Sequence, residues 1–168
     1  AKVTLRQGDV FEVMEEMKRY KERFDVVAIY GLLYHTTEHY RLLLLAQAMQ
    51  PKLIIVDSEF IVASDGPIIR FMREDVENEL NTVARRQGHQ VELVGTPSMR
   101  LMDVIGEVTG HSTEWVDWDT LPEAKRAGLS DYFRKGAQRR RGTVALRPLE
   151  SFDPREKRSR TYLDPRAK

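Results

Sequence analysis

The chain has 168 residues, 41% of them hydrophobic and 32% charged, with a formal net charge of +1. That length suits one domain with a real core, and the near-neutral balance argues against a dedicated nucleic-acid binder. The absence of cysteine removes disulfides, thiolate metal sites and cysteine nucleophiles together. The apolar runs are too short to cross a bilayer and Ala1-Lys2-Val3-Thr4 carries no signal-peptide pattern, so a soluble, cytoplasmic protein without membrane partners is expected.

Residues 3–6 alternate and carry β-branched side chains, which predicts a short strand. Gln7-Gly8-Asp9 turns into a helix over 10–20, where Val10, Val13, Met14 and Met17 recur at helical spacing. A second strand is expected over 24–29, a buried helix over 42–49, and a third strand over 53–56 after Pro51. The runs Val26-Val27-Ala28-Ile29 and Leu53-Ile54-Ile55-Val56 are apolar on both faces, as parallel strands are when helices cover both sides of a sheet. Successive strand–helix–strand passes imply right-handed crossovers and put Asp9, Tyr30-Gly31 and Asp57-Ser58-Glu59 along one edge, where open α/β sheets bind ligands.

Beyond residue 61 the regularity breaks. Asp65-Gly66-Pro67 signals a turn, 68–72 reads as extended, 74–86 as a charged surface helix and 90–94 as a strand. Pro97-Ser98 opens a helix over 99–108 with Leu101, Met102, Ile105 and Val108 as its apolar stripe and Gly110 near its end. Residues 113–118 and 142–146 alternate as strands able to pair antiparallel, the polar stretch 119–141 between them is loop-rich, and 150–168 reads as a loosely held tail.

Gly8-Asp9-Val10, then Phe24-Asp25-Val26-Val27 running into Gly31-Leu32-Leu33-Tyr34-His35, then Pro51-Lys52-Leu53-Ile54-Ile55-Val56, resemble successive motifs of the class I S-adenosylmethionine-dependent methyltransferases. Thr96-Pro97-Ser98, Trp115-Val116-Asp117-Trp118 and Gly142-Thr143-Val144-Ala145-Leu146 are similar to the closing helix and antiparallel hairpin of that fold. The resemblance implies a Rossmann-like α/β domain: a mostly parallel sheet, helices on both faces and a C-terminal antiparallel hairpin. It also implies S-adenosylmethionine as cofactor and methyl transfer to a small-molecule oxygen, nitrogen or carbon nucleophile. The family's glycine-rich loop and the acidic residue ending its second strand have no counterpart upstream. The N-terminal strands are therefore expected to be missing, with 1–149 the C-terminal part of a longer enzyme, 64–96 an insertion or lid, and weak or no cofactor binding by the chain alone.

On that resemblance Gly8, Asp9 and Val10 would meet the adenine, and Tyr30, Gly31 and Leu32 the methionine part of the cofactor. By its own chemistry Asp9 is equally a helix N-cap, and Tyr30-Gly31 an ordinary strand-to-helix turn in which glycine permits close approach. His35 is the candidate catalytic base, since imidazole titrates near neutrality; its plainer reading is a packing or capping histidine. Tyr34 would line the acceptor pocket or belong to the core. Glu59, with Asp57, could hold an amine substrate or steady His35, or be a solvated strand-end charge.

His35 and His39 have the spacing of a helical metal pair, but no third ligand follows and no metal is expected. His89 and His111 read as surface residues. Arg134-Lys135 and Arg139-Arg140-Arg141 read as a solvated loop face balanced by Glu123 and Asp131, not a nucleic-acid grip. Trp115 and Trp118 fall on opposite faces of a strand, so at least one of them is expected to be buried core and not a stacking platform. Residues 68–89 are expected to form part of a lid over the acceptor. Oligomeric state is left open. Two rival readings stand beside methyl transfer: a non-catalytic nucleotide-binding or assembly module of the same fold, and a nicotinamide-dependent oxidoreductase.

Overall fold

Asp9 accepts from the backbone N–H of Phe11 at 2.8 Å and of Glu12 at 3.3 Å, and so caps α1 (Val10–Arg19). Such a cap contributes about 1 kcal/mol, and Glu12 in the first turn with Lys18 and Arg19 in the last complements the helix dipole. The computed structural model describes residues 2–62, 64, 66–78, 90–134 and 136–150. After α1 come β1 (Val26–Tyr30), a 3-10 turn (Leu33–His35), α2 (His39–Ala48), β2 (Leu53–Ile61), β3 (Ile69–Asp75) and β4 (Val91–Pro97). Then follow α3 (Met99–Val108), β5 (His111–Trp115), three 3-10 turns and β6 (Arg139–Pro148).

The main sheet has the order β1-β2-β6-β5. β1 and β2 run parallel, with Val27 opposite Ile54 and Tyr30 opposite Asp57. β6 is antiparallel to both of its neighbours, Val144 lying between Val56 and Trp115. β3 and β4 form a separate two-stranded antiparallel sheet.

Side chains alternate along a strand, so Ile29, Ile54, Val56, Val144 and Leu146 share one face. All are buried, together with Phe11 and Met14 of α1, Leu42 and Ala46 of α2, and Met102 and Ile105 of α3. Burying a large apolar side chain contributes roughly 1.5–3 kcal/mol, so this single face holds all three helices. On the opposite face Val26 and Tyr30 are 49% and 64% exposed.

The α/β class stands, but the sheet is mixed where a mostly parallel one was expected. Its second edge is taken by β6, which enters antiparallel between β2 and β5. Helices on both faces are likewise corrected: among the described residues the three α-helices share one face. Residues 3–6 form no strand, and Val3 and Leu5 are 78% and 90% exposed. Alternation there expresses propensity, whereas a strand also needs a neighbour to bond.

Residues 68–72 and 90–94 fall on β3 and β4, and the helix over 99–108 is α3, capped by Ser98, whose hydroxyl accepts from the Leu101 N–H at 3.1 Å. Glu74 and Asp75, expected to open a helix, complete β3 instead; 79–89 lie outside the described residues, as do His89 and 151–168. His111, expected at the surface, is buried, because the chain passes from α3 through Thr109 and Gly110 straight into β5 under the helix. Thr109 Oγ1 lies 3.1 Å from its Nδ1.

Candidate active site

β1 ends at Tyr30, and Gly31 then takes a φ of +64°, a conformation costly for any residue with a Cβ. Its N–H donates to the carbonyl of Asp57 at 2.9 Å, which ties the end of β1 to β2. A Cβ on Gly31 would lie 3.6 Å from Nη2 of Arg141 and 4.0 Å from the Tyr34 hydroxyl. Tyr30, Gly31, Tyr34, Asp57 and Arg141 therefore meet at one rim.

Val10, Tyr30 and Leu32 line one open trough of about 370 Å³ beside β1, with Met14 and Met17 among its apolar walls. Gly8 and Asp9 precede α1 and do not line it, and the Asp9 carboxylate is engaged by the helix cap. Three of the six candidate cofactor residues thus share a hollow, Gly31 follows Tyr30 at its rim, and Asp9 keeps its capping role.

His35 lies in the 3-10 turn after Gly31, its side chain only 6% exposed and its Nδ1 2.6 Å from Oε2 of Glu74 on β3. At that distance Nδ1–H can donate to the carboxylate oxygen, which leaves Nε2 as the ring nitrogen for any further contact. Tyr34 packs against the ring at 4.1 Å between centroids. The group that steadies His35 is therefore Glu74, not Asp57 or Glu59.

His39 is a core residue. Its Nε2 lies 3.0 Å from the Leu33 carbonyl and 2.8 Å from that of Gly95, and burial pushes its pKa down further than these two carbonyls raise it. His35 and His39 therefore face different partners, and no His, Asp or Glu cluster suited to a metal occurs among the described residues.

Asp57 is buried and accepts from Arg141 Nε at 2.6 Å, from the Tyr132 hydroxyl at 2.8 Å and from Thr143 Oγ1. Glu59 lies 3.5 Å from Arg134 and 3.2 Å from Arg139. Of the arginines expected as a solvated loop face, Arg134 pairs with Asp131 at 2.6 Å as well as approaching Glu59, and Arg140 lies 3.9 Å from Asp119. Arg139 and Arg141, however, are drawn to the β2 carboxylates Glu59 and Asp57, because residues 139–141 belong to β6 and pair directly with 59–61. Trp115 packs edge-on against Phe60 at 4.9 Å, while Trp118 lies in the turn beyond β5, 4.4 Å from Tyr132.

Sequence reasoning missed Glu74, Tyr132, Thr143 and the role of Arg141. Each acts through a partner far along the chain, 39 residues for His35 and Glu74 and 84 for Asp57 and Arg141, so no local spacing marks them. The one available signal was parity: residues 57 and 59 on β2 and 139 and 141 on β6 share a face once the register is known.

These features define an α/β domain with an open rim at the carboxyl end of a parallel strand pair. No family model and no curated protein matches the chain. Its fold is similar to the crystal structure of the N-terminal domain of EvdMO1 in the presence of SAH and D-fucose, with a TM-score of 0.56 and 23% identity over 87% of this chain and 55% of that one. The structure of the same domain with SAH bound matches with a TM-score of 0.56 and 20% identity over 88% of this chain and 54% of that one. The chain thus spans about half the length of these structures. No helix among the described residues is long and apolar enough to cross a membrane.

Proposed function

We propose that the chain carries the rim of an S-adenosylmethionine-dependent methyltransferase acting on a small-molecule nucleophile. The observation that carries this reading is the convergence of Val10, Tyr30 and Leu32 on one trough whose rim is the positive-φ Gly31. The likeness of fold to a domain crystallised with SAH and D-fucose supports it and favours a hydroxylated acceptor.

An apolar trough of this kind, with a glycine rim that lets a ligand approach the backbone, fits a purine nucleoside. Val10 and Leu32 would flank the base, Gly8 and Asp9 would stand at its edge, and Tyr30 and Gly31 would border the methionine part. Bound there, S-adenosylmethionine would supply a methyl carbon whose bond to sulfur breaks, the electron pair passing to sulfur, as an acceptor lone pair attacks.

His35 takes the acceptor's hydroxyl proton at Nε2, while Glu74 holds Nδ1–H and fixes the tautomer. Tyr34 lies between this ring and Gly31 and borders the acceptor. Glu59 anchors Arg134 and Arg139 and so braces the strand carrying Arg141. β3 brings Glu74 to His35, and the β3–β4 sheet would form part of a lid that keeps water from the reacting atoms.

The test is transfer of an isotope-labelled methyl group to hydroxylated small molecules by the full-length protein, followed with His35 in place and in a His35→Ala variant. The reading expects turnover reduced by roughly 10²–10⁴-fold in the variant. Absence of transfer in the parent under every acceptor, with binding of a nicotinamide dinucleotide in its place, would refute it.

A further inference from the structure

β3 and β4 share little apolar packing with the rest of the molecule. Of their large apolar side chains Val94 alone is buried, and no residue of either strand belongs to the cluster that packs the main sheet against the three helices. A polar tie stands in its place. His39, 1% exposed at the start of α2, sets Nε2 3.0 Å from the Leu33 carbonyl of the 3-10 turn and 2.8 Å from the Gly95 carbonyl of β4. Beside it the Gly95 N–H donates to the Thr36 carbonyl at 3.2 Å. We infer that His39 is an acid-sensitive latch: neutral, it holds the β3–β4 sheet to the segment after β1, and on protonation it releases that sheet while the main sheet stays folded.

Carbonyl oxygens only accept, so Nε2 carries the ring hydrogen and shares it between the two. Nδ1 is also buried and has no hydrogen-bond partner among the described residues. A proton added there makes a buried cation whose N–H meets no acceptor, which is costly, and moving β4 away opens the ring to water and removes that cost. Burial accordingly pushes the docked imidazole below its ordinary pKa, further than the two carbonyls raise it. Docking is therefore fully favoured above about pH 6.5 and weakens about tenfold per pH unit as pH falls toward the docked value.

The charged groups around the latch have partners of their own or point elsewhere. On its own helix Arg41 pairs with Glu38 at 2.9 Å, and from the 3-10 turn and β3 His35 and Glu74 pair at 2.6 Å. Arg70 donates to Gln138 at 2.7 Å, and Glu92 on β4 has a partner. Arg73 and Asp75 fall on the other face of the strand from Glu74. None of these is a cause of the shift at His39. Because Glu74 rides on β3, release also parts it from His35; only that consequence for catalysis rests on the methyl-transfer reading.

The test is hydrogen exchange of the full-length protein, without cofactor or acceptor, read by NMR as protection factors below about pH 6.5. The Gly95 amide reports docking, and amides of β2 report global unfolding. In the parent the Gly95 protection factor is expected to be the lower and to fall about tenfold per pH unit, as one proton requires. That of β2 should fall about a hundredfold, since global unfolding also frees the buried His111. His111→Gln should leave the Gly95 slope unchanged and cut the β2 slope to about tenfold. His39→Gln, whose amide can still donate to a carbonyl, should make Gly95 protection independent of pH.

A Gly95 slope that matches β2 in the parent and follows it in His111→Gln would mean that the sheet leaves only on global unfolding. A flat Gly95 profile in the parent, or a slope retained in His39→Gln, would remove His39 as the latch. Each result overturns the inference, and the parent and His111→Gln arms decide it even where His39→Gln fails to fold. Methyl transfer enters none of these measurements, so failure of that reading leaves them unchanged.

Discussion

Nδ1 of His35, in the 3-10 turn after β1, lies 2.6 Å from Oε2 of Glu74 on β3, and both groups are largely buried. The pair joins the turn after β1 to β3, so the conformation of the imidazole and the docking of the β3–β4 sheet depend on each other. Glu74→Ala would leave a buried N–H without its acceptor and is expected to lower stability by about 1–3 kcal/mol. Urea denaturation measures this directly, and hydrogen exchange should show β4 amides losing protection at the same time. An unchanged midpoint with unchanged protection would mean that the contact holds nothing together.

Acid should weaken the fold through two histidines. Burial pushes both His39 and His111 below the ordinary imidazole pKa of 6.5. The unfolded chain therefore takes up protons first as pH falls. The stability contributed by the neutral imidazoles is complete above about 6.5 and is lost as pH drops through their folded values. The decline should approach about 1.4 kcal/mol per pH unit for each histidine. His39→Gln, whose amide can still donate to the Leu33 and Gly95 carbonyls, should flatten the slope; equal slopes in parent and variant would contradict the assignment.

Gly31→Ala separates conformation from crowding. The added Cβ would meet Arg141 Nη2 and the Tyr34 hydroxyl only at ordinary contact distances, so its cost comes from the φ of +64°. A loss of about 1–2 kcal/mol is expected by thermal unfolding, and Gly31→Asn should lose less, since asparagine visits that region more readily. Equal losses in the two variants would point to contacts in place of backbone strain.

Asp57 controls the Tyr132 phenol. Burial and then the hydrogen bond to Asp57 push the phenol's pKa above its usual value. Asp57→Asn removes the charge but not the burial, so the Tyr132 titration should move down toward the ordinary range. The shift can be read by ultraviolet difference spectra against a Tyr132→Phe reference. The same variant leaves Arg141 without its carboxylate and is expected to cost about 1–3 kcal/mol.

Local pattern carried part of this architecture. α3 was legible because Ser98 caps a run with Met102 and Ile105 on one stripe, and β1 because a short apolar run ends abruptly at Gly31. β2 was legible only over 53–56, since it runs on through Asp57, Ser58 and Glu59 to Ile61, paired along its length with β6. The mixed sheet was not, since strand direction depends on which neighbour arrives, and β6 reaches β2 from 78 positions beyond Ile61 at their shared end. Val3 and Leu5 misled because β-branched alternation is a property of one segment and pairing a property of two. The placement of Val10, Tyr30, Gly31 and Leu32 around one hollow and its rim could be read from strand and helix ends. Glu74 and Arg141 could not, because their partners lie on other strands.

The hollow bordered by Val10, Tyr30, Gly31 and Leu32 is proposed to bind a nucleoside. The most direct measurement is an NMR titration of the isotope-labelled chain with S-adenosylhomocysteine, which registers even weak binding amide by amide. The account predicts shifts concentrated at Asp9, Val10 and residues 30–32, and smaller ones from a nicotinamide dinucleotide. Unmoved amides at those positions, or a dinucleotide response larger than that to S-adenosylhomocysteine, would contradict it.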